Sequence, residues 1–345
     1  MKSKQGNILI FTVAILIFVL IGCKASAEDP NKIIGEDTIE DGVLDKSIDS
    51  ISAWAVYWNL DVNEEISSLG DQLRSISYFE AYFDSKYEII IPDELLNYLD
   101  ETRSENYKKY LTFVNDVKKE DGEFSLKDVN MLKDILSDSK LQNEYINDII
   151  KISKDNGFDG VEIDFEGIKK DIELWKKYIE FINSLYVKCE EEDLDLRIVL
   201  EPNTPIENIE FSEGPIYVMM CYNLHGTSTV PGEKANPEFI TELIDKMDKV
   251  PGRKDFAIAA GGFDWVESGK VISVDENKAE EILKKYGGDK KRDSESGCLF
   301  FEYTDENNVK HEVWYADKYT LNKWIKVIND RGYNVSLWRL GGNKF

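Results

Sequence analysis

The apolar positions of the 345-residue chain follow two rhythms in alternation. Short runs with period two, or of continuous apolar character, mark strands near Ala53–Trp58, Ser75–Phe83, Lys109–Asn115, Gly160–Glu166, Leu196–Glu201, Ile216–Tyr222, Asp255–Ala260 and Val335–Trp338. Segments of helical period lie between them. Parallel strands alternating with helices predict an α/β fold, a (β/α)8 TIM barrel whose chemistry sits at the carboxyl ends of its strands. Those ends carry Trp58, Tyr82, Asn115, Glu166, Glu201, Tyr222, Asn223 and Trp338, a set rich in aromatics and carboxylates. Between the seventh and eighth strands, about residues 266–316, a helical pattern at Glu276–Tyr286 precedes a hairpin of Leu299–Tyr303 and Lys310–Tyr315 with its turn at Asp305–Asn308, which reads as a small α+β insertion. After Trp338 only seven residues remain, too few for an eighth outer helix, so that face is expected to be bare or covered by the N-terminal segment.

One stretch organises the rest. Residues 157–167 read as a strand with Val161, Ile163 and Phe165 on one face and Glu162, Asp164 and Glu166 on the other. Carboxylates in a row, about 7 Å apart, raise one another's pKa, and a carboxylic acid kept protonated near neutral pH is what a general acid for glycosidic cleavage requires. The alternative is an amphipathic surface strand with three solvated acids. Gly157 and Gly160 are expected to leave space near the acids.

These residues resemble glycoside hydrolase family 18, the chitinase-like (β/α)8 enzymes, whose fourth strand carries Asp-Gly-x-Asp-x-Asp-x-Glu. Asp159-Gly160-Val161-Glu162-Ile163-Asp164-Phe165-Glu166 matches it, with Glu162 in place of Asp. Met220-Cys221-Tyr222-Asn223 is similar to the family's Met-x-Tyr-Asp strand, with Asn223 in place of Asp; Phe263-Asp264-Trp265 and Leu337-Trp338-Arg339-Leu340-Gly341 follow in the expected order. Val313–Asp317 and the Trp-Arg-Leu-Gly ending are closest in style to the bacterial spore-germination and cortex-lytic branch. The resemblance implies that Glu166 protonates the glycosidic oxygen while the substrate's own 2-acetamido carbonyl attacks the anomeric carbon. It implies further that Asp164 orients that group, Tyr222 hydrogen-bonds its carbonyl, Glu162 shares a proton or hydrogen bond with Asp164, and Trp338 floors the sugar. Met220, Asn223, Trp58, Tyr82, Asn115, Glu201 and Trp314 are the remaining candidates for substrate contact. Trp314 and Tyr315 of the insertion either touch sugar or pack its own small core.

The N-terminus adds a location. Lys2 and Lys4 precede an apolar run from Ile8 to Ile21 that is short for a membrane span, so residues 1–22 read as a signal peptide. Leu20-Ile21-Gly22-Cys23 resembles a bacterial lipobox, in which Cys23 is diacylated, and two acyl chains anchor stably where one does not. The expected location is the extracytoplasmic face of the cell membrane. Residues 23–50 form an acidic tether and residues 51–345 the barrel.

The formal charge of −25 argues against nucleic acid as a partner, because phosphate binding needs clustered Lys and Arg. Cys189, Cys221 and Cys298 have no disulfide or zinc spacing, and with only His225 and His311 a His-rich metal site or a Ser-His-Asp mechanism is not expected. No cofactor is implied, and a monomer is expected. A lipid-anchored glycosidase acting on β-linked N-acetylglucosamine-containing glycans is the leading expectation. A catalytically silent carbohydrate-binding protein on the same fold is the second. A retaining enzyme with Glu201 as nucleophile is the third.

Overall fold

A computed structural model describes residues 50–345. The expected signal peptide (residues 1–22), the expected lipidation at Cys23 and nearly all of the expected acidic tether (residues 23–50) lie outside the described residues. Seven parallel strands follow one another around a barrel: β1 (Ile51–Val56), β2 (Leu73–Asp84), β3 (Lys108–Lys118), β4 (Gly160–Asp164), β5 (Asp195–Leu200), β6 (Ile216–Met220) and β7 (Arg253–Ala259). An inserted antiparallel sheet comes next, with β8 (Gly261–Val266), β9 (Val271–Val274), β10 (Leu299–Thr304) and β11 (Lys310–Ala316). The last strand, β12 (Asn334–Trp338), pairs in parallel with both β7 and β1 and closes the barrel. The structure is thus the (β/α)8 barrel that the sequence pattern predicts, with an α+β unit between its seventh and eighth strands.

The outer layer is α1 (Asn63–Leu69), α2 (Asp93–Glu101), α3 (Val129–Ser137), α4 (Ser139–Asn156), α5 (Ile172–Glu191), α6 (Pro237–Met247) and α8 (Lys318–Asn329), while α7 (Glu276–Tyr286) belongs to the insertion. Two of these helices aim the fourth strand. Asp138 caps α4 by accepting hydrogen bonds from the N–H groups of Lys140 and Leu141 (2.8 and 3.1 Å). Gly157, at φ +77°, ends α4 and turns the chain into β4. On the far side, α5 is capped by Asp171 and buries Trp175, Tyr178, Phe181, Ile182 and Leu185 against the barrel. Phe165 lies among them, 5.7 Å from Tyr178 and 6.0 Å from Phe181 between ring centroids. Anchoring Phe165 outward leaves its neighbours Asp164 and Glu166 turned to the mouth of the barrel.

The C-terminal face departs from expectation. It is not bare, because the last residues themselves pack there; the N-terminal segment lies outside the described residues. The Leu340 N–H donates to the Trp54 carbonyl (3.0 Å), the Gly341 and Asn343 N–H groups donate to the Glu65 carboxylate of α1 (2.5 and 2.6 Å), and Phe345 is buried.

Glycine placement also departs from expectation. A Cβ on Gly160 would stand 2.5 Å from the Tyr110 ring and 2.7 Å from the Asp195 carbonyl, so the room it provides is already filled, at the strand's start and away from the acids.

Candidate active site

The fourth strand ends at Asp164, two residues earlier than the alternation suggested, and the three acids do not form a solvent-facing row. Glu162 is fully buried inside the barrel. Its carboxylate accepts hydrogen bonds from Trp54 Nε1 (2.6 Å), Thr112 Oγ1 (2.8 Å), Ser77 Oγ (2.9 Å) and Arg197 Nε (2.7 Å). Glu162 and Arg197 are register partners on β4 and β5, and Glu162 faces Thr112 across β3. Arg197 continues to Asp255 (2.7 Å), which also pairs with Arg74 (2.6 Å). The expected proton sharing between Glu162 and Asp164 is therefore replaced: every donor on Glu162 comes from the barrel interior, because a charge in that dry layer needs compensation and Arg197 supplies it. Burial raises the Asp255 pKa, but Arg197 and Arg74 outweigh it and hold that carboxyl below its usual range.

Asp164 sits one layer nearer the mouth. Its Oδ1 is buried with no hydrogen-bond partner among the described residues. Burial, then the charges of Glu166 and Glu162, push its pKa well above the usual carboxylate range against the opposing charge of Lys127. Tyr222, at the end of β6, is buried beside these acids and its hydroxyl makes no hydrogen bond among the described residues. Burial, followed by the fields of Asp164 and Glu166, raises its pKa as well.

Glu166 stands just past the strand, and its backbone is fixed on both sides. Its N–H donates to Asn115 Oδ1 (2.9 Å) and its carbonyl accepts from Asn115 Nδ2 (3.0 Å). Gly167, at φ +83°, donates its N–H to Glu201 Oε2 (2.9 Å). Asn115 and Glu201 thus position the loop that presents Glu166. The Glu166 side chain is ion-paired with Lys127, whose own backbone N–H donates to Asp116 Oδ1 (2.6 Å). Burial raises the Glu166 pKa and Lys127 opposes it, with a net upward direction. Since a general acid works only while protonated, activity falls as pH rises through this pKa. Lys127→Met removes the opposing charge, so the alkaline limb of kcat/KM is expected to move to higher pH. A limb that stays in place or moves down in a pH–rate profile would show that Lys127 does not tune the acid.

Asp164 and Glu166 line a cavity of about 330 Å³ together with Tyr57, Trp58, Phe79, Asn115 and Lys127. A larger cavity, about 720 Å³ between α1, α7 and the C-terminal residues, contains none of the acid set and is not where the chemistry lies. Trp338 stands beside the acid-lined cavity with its ring 4.9 Å from Phe79 and 5.8 Å from Trp54, both edge-on. Trp58 is half exposed at the rim.

Other candidates lie elsewhere. Met220 is packed in the barrel interior, Tyr82 is buried with its ring 5.0 Å from Phe124, and Asn223 is an exposed residue at φ +63° beyond β6. None of the three lines the cavity. In the insertion, Tyr315 is buried in that unit's own core, and Trp314 stacks on Phe300 at 4.4 Å and donates from Nε1 to Glu312 (2.7 Å). Neither lines the cavity. Sequence reasoning missed Glu80, Asp116, Lys127, Arg197 and Asp255. The visible signal was a charged residue inside an otherwise apolar strand, as with Arg197 in Leu-Arg-Ile-Val-Leu and Glu80 in Tyr-Phe-Glu-Ala-Tyr.

A (β/α)8 barrel with a buried carboxylate and a presented acid at the end of its fourth strand is the class the geometry defines. Comparisons with known proteins agree with that class. No family model matches the chain. It is 24% identical over 212 residues to an uncharacterized glycosylase, YvbX, of Bacillus subtilis (strain 168), covering 56% of this chain and 60% of that protein. It is 24% identical over 236 residues to the cortical fragment-lytic enzyme of the same organism, covering 60% of this chain and 52% of that one. The chain thus spans little more than half the length of these curated relatives. Among solved structures, a chitinase from Chromobacterium violaceum ATCC 12472 superposes with a TM-score of 0.73 at 16% identity, over 86% of this chain and 95% of that one, which establishes the shared barrel.

Proposed function

We propose that the protein is a lipid-anchored, extracytoplasmic glycosidase that hydrolyses β-linked N-acetylglucosamine-containing glycans, peptidoglycan or spore cortex ahead of chitin, by substrate-assisted retaining catalysis. The observation that carries this reading is Asp164 Oδ1, buried without a hydrogen-bond partner among the described residues, in the mouth beside Glu166 and close to Tyr222. Buried polar atoms without partners cost free energy unless a ligand supplies them, and an acetamido group offers an N–H to Asp164 and a carbonyl to Tyr222. Glu166 gives its proton to the glycosidic oxygen as the acetamido oxygen bonds to the anomeric carbon. Water then opens the cyclic intermediate and returns a proton to Glu166, with retention of configuration. Trp338 supplies the apolar floor under the ring. The names of the curated relatives, a glycosylase and a cortical fragment-lytic enzyme, support the substrate class.

The ion pair between Lys127 and Glu166 favours the second reading, a silent glycan-binding protein, because it neutralises the acid in the ligand-free state. Product analysis separates the two. Incubation with purified peptidoglycan and with chitin oligomers is expected to create new reducing ends bearing an acetamido sugar, whereas binding to both glycans without cleavage would establish the silent reading.

The anchor has its own test. Wild-type protein is expected to enter the detergent phase on partitioning and Cys23→Ala to stay in the aqueous phase; if both stay aqueous, the protein is not lipid-anchored.

A further inference from the structure

A second acid pair opens into the cavity that holds Glu166. Glu80, on β2, is 7% exposed, and no described residue gives its carboxyl a hydrogen bond or an ion pair. It lines the 330 Å³ cavity with Asp116 of β3, among the aromatic walls of Tyr57, Trp58, Phe79 and Phe124. The cavity lining includes four carboxyls (Glu80, Asp116, Asp164 and Glu166) against the single cation Lys127, and that cation is already committed to Glu166. A buried carboxyl without a donor, doubled by a neighbour of the same charge and flanked by aromatic rings, is suited to an ammonium, which is attracted to both the carboxylates and the ring faces.

We propose that Glu80 and Asp116 form a subsite for a primary ammonium carried by the glycan, the free amine of a de-N-acetylated glucosamine residue in the ring position next to the bond that is cleaved. The proposal rests on the glycan-cleaving reading given above. It assigns complementary tasks to two sets of residues, one within the cavity and one reaching from Asp164 at its wall to the neighbouring Tyr222. Asp164 and Tyr222 take the acetamido group of the reacting ring, while Glu80 and Asp116 take the amine of its neighbour. The groups facing Glu80 are Asp116 from β3, Tyr57 beyond β1, Lys127 before α3, and Asp164 and Glu166 from the fourth strand and its loop. Burial, then the Asp116 charge, raises the Glu80 pKa to about 8, so near neutral pH Glu80 holds a proton. An arriving ammonium displaces it: the carboxylic acid becomes a carboxylate paired with the ammonium, and the proton leaves to buffer.

Calorimetric titration of the full chain with an N-acetylglucosamine oligomer carrying a single free-amine glucosamine beside an acetamido ring, and with the fully N-acetylated oligomer of equal length, each in two buffers of different ionisation enthalpy, tests this directly. The amine oligomer is expected to bind at least about tenfold tighter, the scale of one charge-assisted hydrogen bond, and to release a proton on binding. Glu80→Gln is expected to bring the ratio of the two affinities to about one and to abolish proton release. Asp116→Asn, at a more exposed position and with its acceptor for the Lys127 N–H kept, is expected to reduce the ratio in the same direction and stands as the second variant if Glu80→Gln melts early. Equal affinities in the wild type, or a preference that survives in both variants, would overturn the subsite and leave the glycosidase reading intact. Binding of neither oligomer would overturn both.

Discussion

Replacing Glu166 by Gln is expected to remove nearly all hydrolysis, roughly a 10²- to 10⁴-fold loss in turnover, while the protein folds as before. The loop that presents this side chain is held by backbone bonds to Asn115 and by the Gly167 N–H on Glu201, none of which the substitution touches. Its ion pair with the half-exposed Lys127 contributes little to stability in contact with water. What changes is proton donation, since an amide keeps the shape of the acid and cannot give up a proton to a leaving oxygen. The check is turnover on a glycan that the wild type cleaves, beside a thermal melt. Wild-type turnover in the variant would take Glu166 out of the mechanism.

The second large effect concerns stability. Arg197→Met is expected to destabilise the fold by about 3–5 kcal/mol, the usual cost of leaving a buried charge uncompensated. Arg197 is 1% exposed and bonds Glu162, Asp255 and Ser336 at once, so its loss strips the barrel interior of its central cation. Asp255 retains Arg74, whereas Glu162 retains only neutral donors. Urea unfolding should show a lower midpoint with an unchanged slope. Combining Arg197→Met with Glu162→Leu should recover part of the loss, because the stranded charge goes with it. A midpoint equal to the wild type in the single variant would show that the interior ion pairs do not hold the barrel together.

This network also marks where sequence stops informing. The strand rhythm and the insertion's helix and hairpin could be read because each is a local pattern: alternation within β4, helical period within α7, a polar turn between β10 and β11. Local alternation also put Glu162, Asp164 and Glu166 on one side of a strand. It could not tell which layer each occupies, because that depends on the register between β3, β4 and β5 and on the closure of the barrel. Glu162 meets Arg197 and Thr112 only through those pairings. In the same way Lys127, far from Glu166 in sequence, reaches it because the loop before α3 folds back over the mouth. Aromatic residues misled most. Tyr82 has the character of a sugar contact, yet the barrel interior had space for its ring and took it; of the two readings open for Tyr315, packing in the insertion core is the one that holds.

The central claim is that Glu166 supplies the proton and the substrate supplies the nucleophile. The most direct measurement is the rate of cleavage of two otherwise identical β-glycosides, one bearing a 2-acetamido group and one a 2-hydroxyl. With Asp164 Oδ1 and Tyr222 left open to hold the acetamido group, only the first should turn over. Comparable cleavage of the 2-hydroxyl glycoside, with a covalent glycosyl adduct trapped on Glu201, would contradict the account and make Glu201 the nucleophile.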